Sequence, residues 1–158
     1  MILKNMSWQE YQTLVEHLAS KINFQKYDCI YAIPKGGTFL GTILAYASEL
    51  PIVYNLDYTW FEYSSVLVVD DLIDKGITLY NKLHQTPPRF KYDVAVLFLK
   101  PHIFTPQTKE ADYVNSLIKS DRIYYAELTD DWLSFPYERV GGQDFSCSGT
   151  NYFTPLQN

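Results

Sequence analysis

Val66-Leu67-Val68-Val69-Asp70-Asp71-Leu72-Ile73-Asp74-Lys75-Gly76-Ile77-Thr78 is the stretch that decides the fold. Four apolar residues in a row, three of them β-branched, read as a strand buried on both faces. The run ends at an acidic pair. A loop from Asp74 to Thr78 follows, leading into a short helix expected from near Ile77 to before Pro87-Pro88. Ligands of open parallel sheets sit outside the carboxyl ends of the strands, so Asp70 and Asp71 stand where a site would be.

The flanking sequence supports that frame. Ser7-Trp8-Gln9-Glu10 reads as a capping box, and Trp8, Tyr11, Leu14, Val15, Leu18 and Ile22 recur at helical spacing behind it. Asp28 to Ile33 is a buried-strand candidate that runs into the turn Pro34-Lys35-Gly36-Gly37. A helix is expected from about Thr38 to Leu50, closed by Pro51, and a strand from Ile52 to about Leu56. Asp93 to Leu99 is another buried strand, ended by Lys100-Pro101, and Ile123 to Ala126 a weaker one nearer an edge. Apolar strands alternating with helices signal βαβ units. The expectation is one α/β domain over residues 1–158, with a central, mostly parallel sheet flanked by helices and a small hood from the termini. Residues from about 140 to 158 have no periodicity and read as an irregular tail.

Bulk properties narrow the function. A chain of 158 residues with 47% apolar and 20% charged residues can bury a core without staples. Its net charge of −5, with 13 scattered basic residues, argues against nucleic acid as a partner. Cys29 and Cys147 form no metal pattern and no disulfide framework, and Cys29 reads as a small buried hydrophobe. The first residues reach Trp8 and Glu10 without an apolar leader, and the uncharged stretch Gly36 to Ser48 is shorter than the ~20 residues of a membrane helix. No membrane association and a reducing cytoplasm are the expectation.

Three strand ends carry polar groups: Lys35-Gly36-Gly37, Asp70-Asp71 with the loop beyond, and Lys100. An acidic pair suits Mg²⁺ or vicinal hydroxyls. The amides of the loop to Thr78, its hydroxyl and the helix dipole suit a phosphate, with Gly76 supplying the backbone freedom. Taken singly, each has a plainer reading. An Asp pair also caps strands, a Lys with two glycines also makes a turn, and Lys100 could be a solvated strand-end lysine.

Joined in this order, the stretches resemble the type I phosphoribosyltransferases. Val68 to Thr78 is similar to the family's phosphoribosyl-pyrophosphate motif, Asp28 to Gly37 to its pyrophosphate strand and loop, and Val94 to Pro101 to its base-contacting strand. Asp131 to Glu138 resembles the C-terminal segment of xanthine-guanine and related 6-oxopurine enzymes. The resemblance implies Asp70, Asp71 and Asp74 as catalytic residues, with Asp70 and Asp71 addressing the ribose hydroxyls and Mg²⁺. Asp74 would sit beside N7 of the base, and Lys75, Gly76, Ile77 and Thr78 would hold the 5′-phosphate. Lys35, Gly36 and Gly37 would hold pyrophosphate, with a cis bond between Pro34 and Lys35. Lys100, Trp132 and Leu133 would bind the base. A lysine at the 6-oxo group favours oxopurines over adenine, because it donates but does not accept. The implied activity is transfer of phosphoribose to guanine, xanthine or hypoxanthine, in a homo-oligomer such as a dimer or tetramer.

Two features depart from the family pattern. Lys75 stands where a Thr is usual, and Ile77 where a small residue is common. The segment from Pro51 to Val66 is short where active members carry a long closing loop. Its Tyr58, Trp60, Phe61 and Tyr63 suit a fixed wall or, the favoured reading, an oligomer contact. A non-catalytic sensor that binds phosphoribosyl pyrophosphate or a nucleotide is therefore the alternative. A phosphoryl-accepting receiver domain is excluded: the stretch from Asp71 to Lys100 holds one helix and one strand, leaving no strand for its phosphoacceptor.

Overall fold

In a computed structural model of the chain, the run Val66–Val69 lies at the centre of a five-stranded parallel sheet. The structure describes residues 3–55, 63–84, 90–140 and 143–144. The chain divides into a larger unit, Leu14–Asp130, and a smaller one made of Met1–Thr13 and Asp131–Asn158.

The sheet of the larger unit contains β2 (Cys29–Ala32), β3 (Ile52–Val53), β4 (Ser65–Ile73), β5 (Lys91–Leu99) and β6 (Ile123–Leu128), in the spatial order β3-β2-β4-β5-β6. β4 and β5 are flanked on both edges, and Val66 to Val69 and Val94 to Leu99 are buried. That position explains why both read as unbroken apolar runs and not as alternating ones. On one face, α2 (Gly36–Ser48) lies so close to β2 that a Cβ at Gly41 would come 2.7 Å from the Cβ of Ala32. On the other, Tyr31, Val66, Val68, Val94 and Val96 form a core with Leu79, Leu83, Val114 and Leu117.

Where the boundaries differ from expectation, the ladder explains it. β4 does not stop at Asp70-Asp71 but continues to Ile73, because Asp70, Leu72 and Ile73 remain in register with Val96, Phe98 and Leu99 of β5. Beyond it, α3 (Ile77–Leu79) is one α-helical turn that widens into a π-helical turn over Tyr80–His84. α2 begins at Gly36, earlier than Thr38, and β3 pairs only Ile52 and Val53 with β2. Leu56, Pro87 and Pro88 lie outside the described residues, as do Tyr58, Trp60, Phe61 and Cys147. Tyr63 is described and packs, partly buried, against the core.

One helix went unread. α4 (Lys109–Lys119) starts at Thr108, whose hydroxyl accepts from the Ala111 amide at 3.2 Å, and buries Ala111, Val114 and Leu117. Among the described residues no helix is long and apolar enough to cross a membrane.

The smaller unit brings the two ends of the chain together. β1 (Leu3–Asn5) pairs in parallel with β7 (Trp132–Ser134), and Tyr11 meets the rings of Phe135 and Tyr137 edge-on. β8 (Arg139–Val140) and β9 (Gln143–Asp144) form an antiparallel pair at the start of the expected tail. Helix α1 (Trp8–Ser20) begins in this unit with the expected capping box: Ser7 N donates to Glu10 Oε2 at 2.8 Å and Glu10 N to Ser7 Oγ at 3.1 Å.

Candidate functional site

The strands are all parallel, but the direction in which successive strands are added to the sheet reverses between β2 and β4. From β2 the chain crosses to β3 on one side; from β4 it moves away to β5 and β6 on the other. The loops leaving β2 and β4 therefore diverge and open a crevice at their carboxyl ends, where ligands of such sheets bind. The loop residues Pro34, Lys35, Gly36 and Gly37 and the pair Asp70-Asp71 meet there. Ile33 N donates to Val69 O at 2.9 Å, which holds the turn level with the acidic pair.

Contact between these two segments is tight. A Cβ on Gly36 would lie 1.9 Å from Asp71 Oδ2, and one on Gly37 would lie 2.3 Å from Val69 O. At Gly37 the obstacle is fixed main chain and only glycine fits; at Gly36 it is the Asp71 side chain, which would have to move. The Pro34–Lys35 peptide bond is cis, as the family resemblance implied. Lys35 is the N-cap of α2 and supplies no side-chain cap; of the first helix amides, Gly37 N bonds to the Asp70 carboxyl and Thr38 N donates to Lys35 O at 3.1 Å.

Burial pushes the Asp70 carboxyl up to about 8, and the neighbouring charge of Asp71 adds to the rise. The Gly37 amide and the Asp71 amide, 3.0 Å from Asp70 Oδ1, offset part of it. Two crowded carboxylates of this kind gain from a hard cation. Mg²⁺ commonly takes one or two carboxylates and completes its shell with water and substrate phosphate oxygens. Asp70 and Asp71 fit that donor set. Among the described residues no group of three or more His, Cys, Asp or Glu could hold a metal by itself.

The second half of the site follows β4. Asp70 and the residues from Leu72 to Leu79 line a cavity of about 250 Å³. Gly76 turns the loop with φ of 77°, and a Cβ there would meet Val114 Cγ2 at 2.6 Å and Glu110 O at 2.9 Å. Thus α4 backs the loop, and glycine is required both for its dihedral and for that approach. Lys75, Ile77 and Thr78 are exposed on it. Since α3 has only three α-helical residues, the loop amides and the Thr78 hydroxyl, not a long helix dipole, are what it offers an anion.

Lys100 ends β5, is only 5% exposed, and donates its amide to Ile73 O at 3.0 Å. That bond sets the exit of β5 beside Asp74. Trp132 and Leu133 lie on β7 of the smaller unit, Trp132 partly exposed and Leu133 buried. Of the expected site residues, Lys35 to Gly37, Asp70, Asp71, Asp74 to Thr78 and Lys100 all belong to the larger unit and to the carboxyl end of its sheet. His102 was missed: its Nε2 lies 3.3 Å from Asp74 Oδ1. Its place two residues after Lys100 was the only available signal.

No protein-family model and no curated protein sequence matches the chain. Solved structures do. A purine phosphoribosyltransferase from Pyrococcus horikoshii Ot3 is 19% identical with a TM-score of 0.65, covering 89% of this chain and 97% of its own. A hypothetical protein from Neisseria gonorrhoeae with bound ppGpp is 21% identical with a TM-score of 0.71, covering 89% and 92%. The xanthine-guanine-hypoxanthine phosphoribosyltransferase of Helicobacter pylori is 17% identical with a TM-score of 0.63, covering 86% and 93%. The chain thus has the α/β fold of the type I phosphoribosyltransferases, with a central parallel sheet flanked by helices.

Proposed function

We propose that the chain is a cytoplasmic, Mg²⁺-dependent phosphoribosyltransferase that joins phosphoribose to a 6-oxopurine and releases pyrophosphate. The observation that carries this reading is the convergence, at the β2/β4 crevice, of the glycine loop and the Asp70-Asp71 pair, continued by the loop around Gly76. The three features suit the three parts of phosphoribosyl pyrophosphate. Lys35, Gly36 and Gly37 take the pyrophosphate, Asp70 and Asp71 the ribose hydroxyls and the cation, and Lys75 to Thr78 the 5′-phosphate.

In the reaction, N9 of the base attacks C1 of the ribose as the bond to pyrophosphate breaks. Positive charge builds on the sugar and negative charge on the leaving group. Mg²⁺, when bound, neutralises the pyrophosphate. Carboxylates below the sugar and a lysine with amides beside the leaving group stabilise both charges without having to reorganise. Asp74 would take the proton from N7, Lys100 would donate to the 6-oxo group, and Trp132 and Leu133 would contact the base.

A homo-oligomer remains part of the proposal. Phe39, Ile43 and Tyr46 are exposed along one face of α2, at spacing four and three, and such a stripe suits a subunit contact. Light scattering of the purified chain would test it.

One comparison favours a second reading. The Neisseria protein of the same fold holds ppGpp, so a nucleotide-binding protein without transferase activity is the alternative. Pyrophosphate release from phosphoribosyl pyrophosphate and Mg²⁺, with guanine, xanthine, hypoxanthine, adenine and no base in parallel, separates the two. Release that depends on an oxopurine is the expected result. Tight binding of phosphoribosyl pyrophosphate or ppGpp with no product from any base would replace the enzyme with the binding protein.

A further inference from the structure

The contact between His102 Nε2 and Asp74 Oδ1, at 3.3 Å, follows from sheet register. β5 is tied to β4 up to Leu99 opposite Ile73, and Lys100 N donates to Ile73 O. The next residues form the 3₁₀ turn Pro101–Phe104, which presents His102 to the first residue after β4. His102 also lines a cavity of about 460 Å³ between the Gly76 loop and the start of α4. The charged groups around it are Asp74 and Lys75 from the loop and Glu110 from α4, with Lys100 two residues before it on its own segment.

We propose that His102 is the proton outlet of Asp74, an inference that rests on the phosphoribosyl-transfer reading above. When N9 bonds to C1 and pyrophosphate departs with the bonding electron pair, the purine is left one proton in excess, at N7. The Asp74 carboxylate removes that proton. His102 offers it a route onward: Nε2 accepts the proton from Asp74, and Nδ1 gives its own to water. Side-chain exposure is 51% for His102 and 40% for Asp74, so the imidazole reaches solvent while touching the acid, and exchange with water restores the starting tautomer. Histidine is the side chain whose ordinary ionisation lies near neutrality, as a relay requires. An exposed pair of this kind contributes little to stability, so folding alone gives weak reason for it.

The test is His102→Gln, which keeps a polar side chain beside Asp74 but cannot relay a proton, together with His102→Ala. The single-turnover rate with an oxopurine should fall about tenfold or more in His102→Gln, while affinity for phosphoribosyl pyrophosphate stays within about twofold. Imidazole in the buffer should partly restore His102→Ala. A wild-type rate in His102→Gln would overturn the relay and leave the transferase standing. Equal losses of rate and of phosphoribosyl pyrophosphate affinity, with no rescue by imidazole, would also overturn it, as the marks of a structural role. If the wild-type chain converts no base, the transferase reading falls and the relay falls with it.

Discussion

A Cβ on Gly36 would lie 1.9 Å from Oδ2 of Asp71, whereas one on Gly37 would lie 2.3 Å from the main-chain oxygen of Val69. The neighbours differ in what they can give. A carboxylate can swing away about its own χ angles; a carbonyl inside a strand ladder cannot. Gly36→Ala should therefore displace Asp71 at small cost in stability and lower affinity for phosphoribosyl pyrophosphate about tenfold or more. Gly37→Ala should cost about 1–3 kcal/mol of folding stability as an overpacking change. Denaturation and calorimetric binding measured on both variants check the contrast. Equal stability losses would show that Asp71 is held as firmly as the strand.

At Asp70 the proposed function and folding stability oppose one another. Its folded carboxyl is raised to about 8 by burial and by Asp71, far above the ~4 of an unfolded chain. Between these values the folded state holds a proton that the unfolded state lacks, so this group makes the protein less stable as pH rises from about 4 to 8. Asp70→Asn removes that cost. The variant should melt higher than wild type by an amount that grows from pH 5 to pH 9, yet bind phosphoribosyl pyrophosphate and Mg²⁺ poorly. Scanning calorimetry at the two pH values reads the first effect and isothermal titration the second.

Asp28 behaves in the opposite sense. Its Oδ2 accepts from the Ser64 amide, the Ser64 hydroxyl and the Ser65 amide, all at 2.9 Å, and these bonds lower its carboxyl below the usual value. A lowered folded value gives stability that is present above the unfolded pKa and lost as pH falls through the folded one. Asp28→Ala should cost about 1–2 kcal/mol at pH 7 by the scale of lost caps and hydrogen bonds. The gap from wild type should close as pH drops below about 4. Urea denaturation at pH 7 and pH 3 measures it.

Lys100 is buried at the end of β5, and Lys100→Met keeps the apolar stem while removing the charge. Oxopurine affinity should fall about tenfold or more, the worth of a hydrogen bond to a charged donor. Affinity for phosphoribosyl pyrophosphate should remain near wild type. Parallel losses for both ligands would make Lys100 a structural residue and leave the oxopurine preference without its donor.

The sequence was most legible where one physical signal dominated. Val66–Val69 and the apolar run Val94–Leu99 within Asp93–Leu99 could be read because strands buried on both faces hold unbroken apolar residues, and the Ser7–Glu10 box because its two side chains cap each other locally. α4 also carried readable signals, a Thr108 cap and apolar residues at Ala111, Val114, Leu117 and Ile118. Polar residues interleaved with them, and the proline-punctuated stretch before them, made the segment look like a connection. β1 and β7 were not legible at all, since two three-residue strands from opposite ends of the chain have no local pattern to announce their pairing. The contact of His102 with Asp74 was hidden for a related reason: it depends on register between β4 and β5, which no single segment encodes.

β4 runs past the acidic pair to Ile73, laddered to β2 as far as Val69 and to β5 along nearly its whole length. The carboxylates are thus mounted on a strand laddered to its neighbours, while Lys35 and the residues Asp74 to Gly76 lie in the connections that leave the sheet. An engineer who wished to redirect this chain to a different base or phosphate ester could treat residues 65–73 as a fixed chassis. Rewriting 74–78 and 101–108 would alter what is recognised without disturbing the strand that carries the proposed sugar-binding carboxylates.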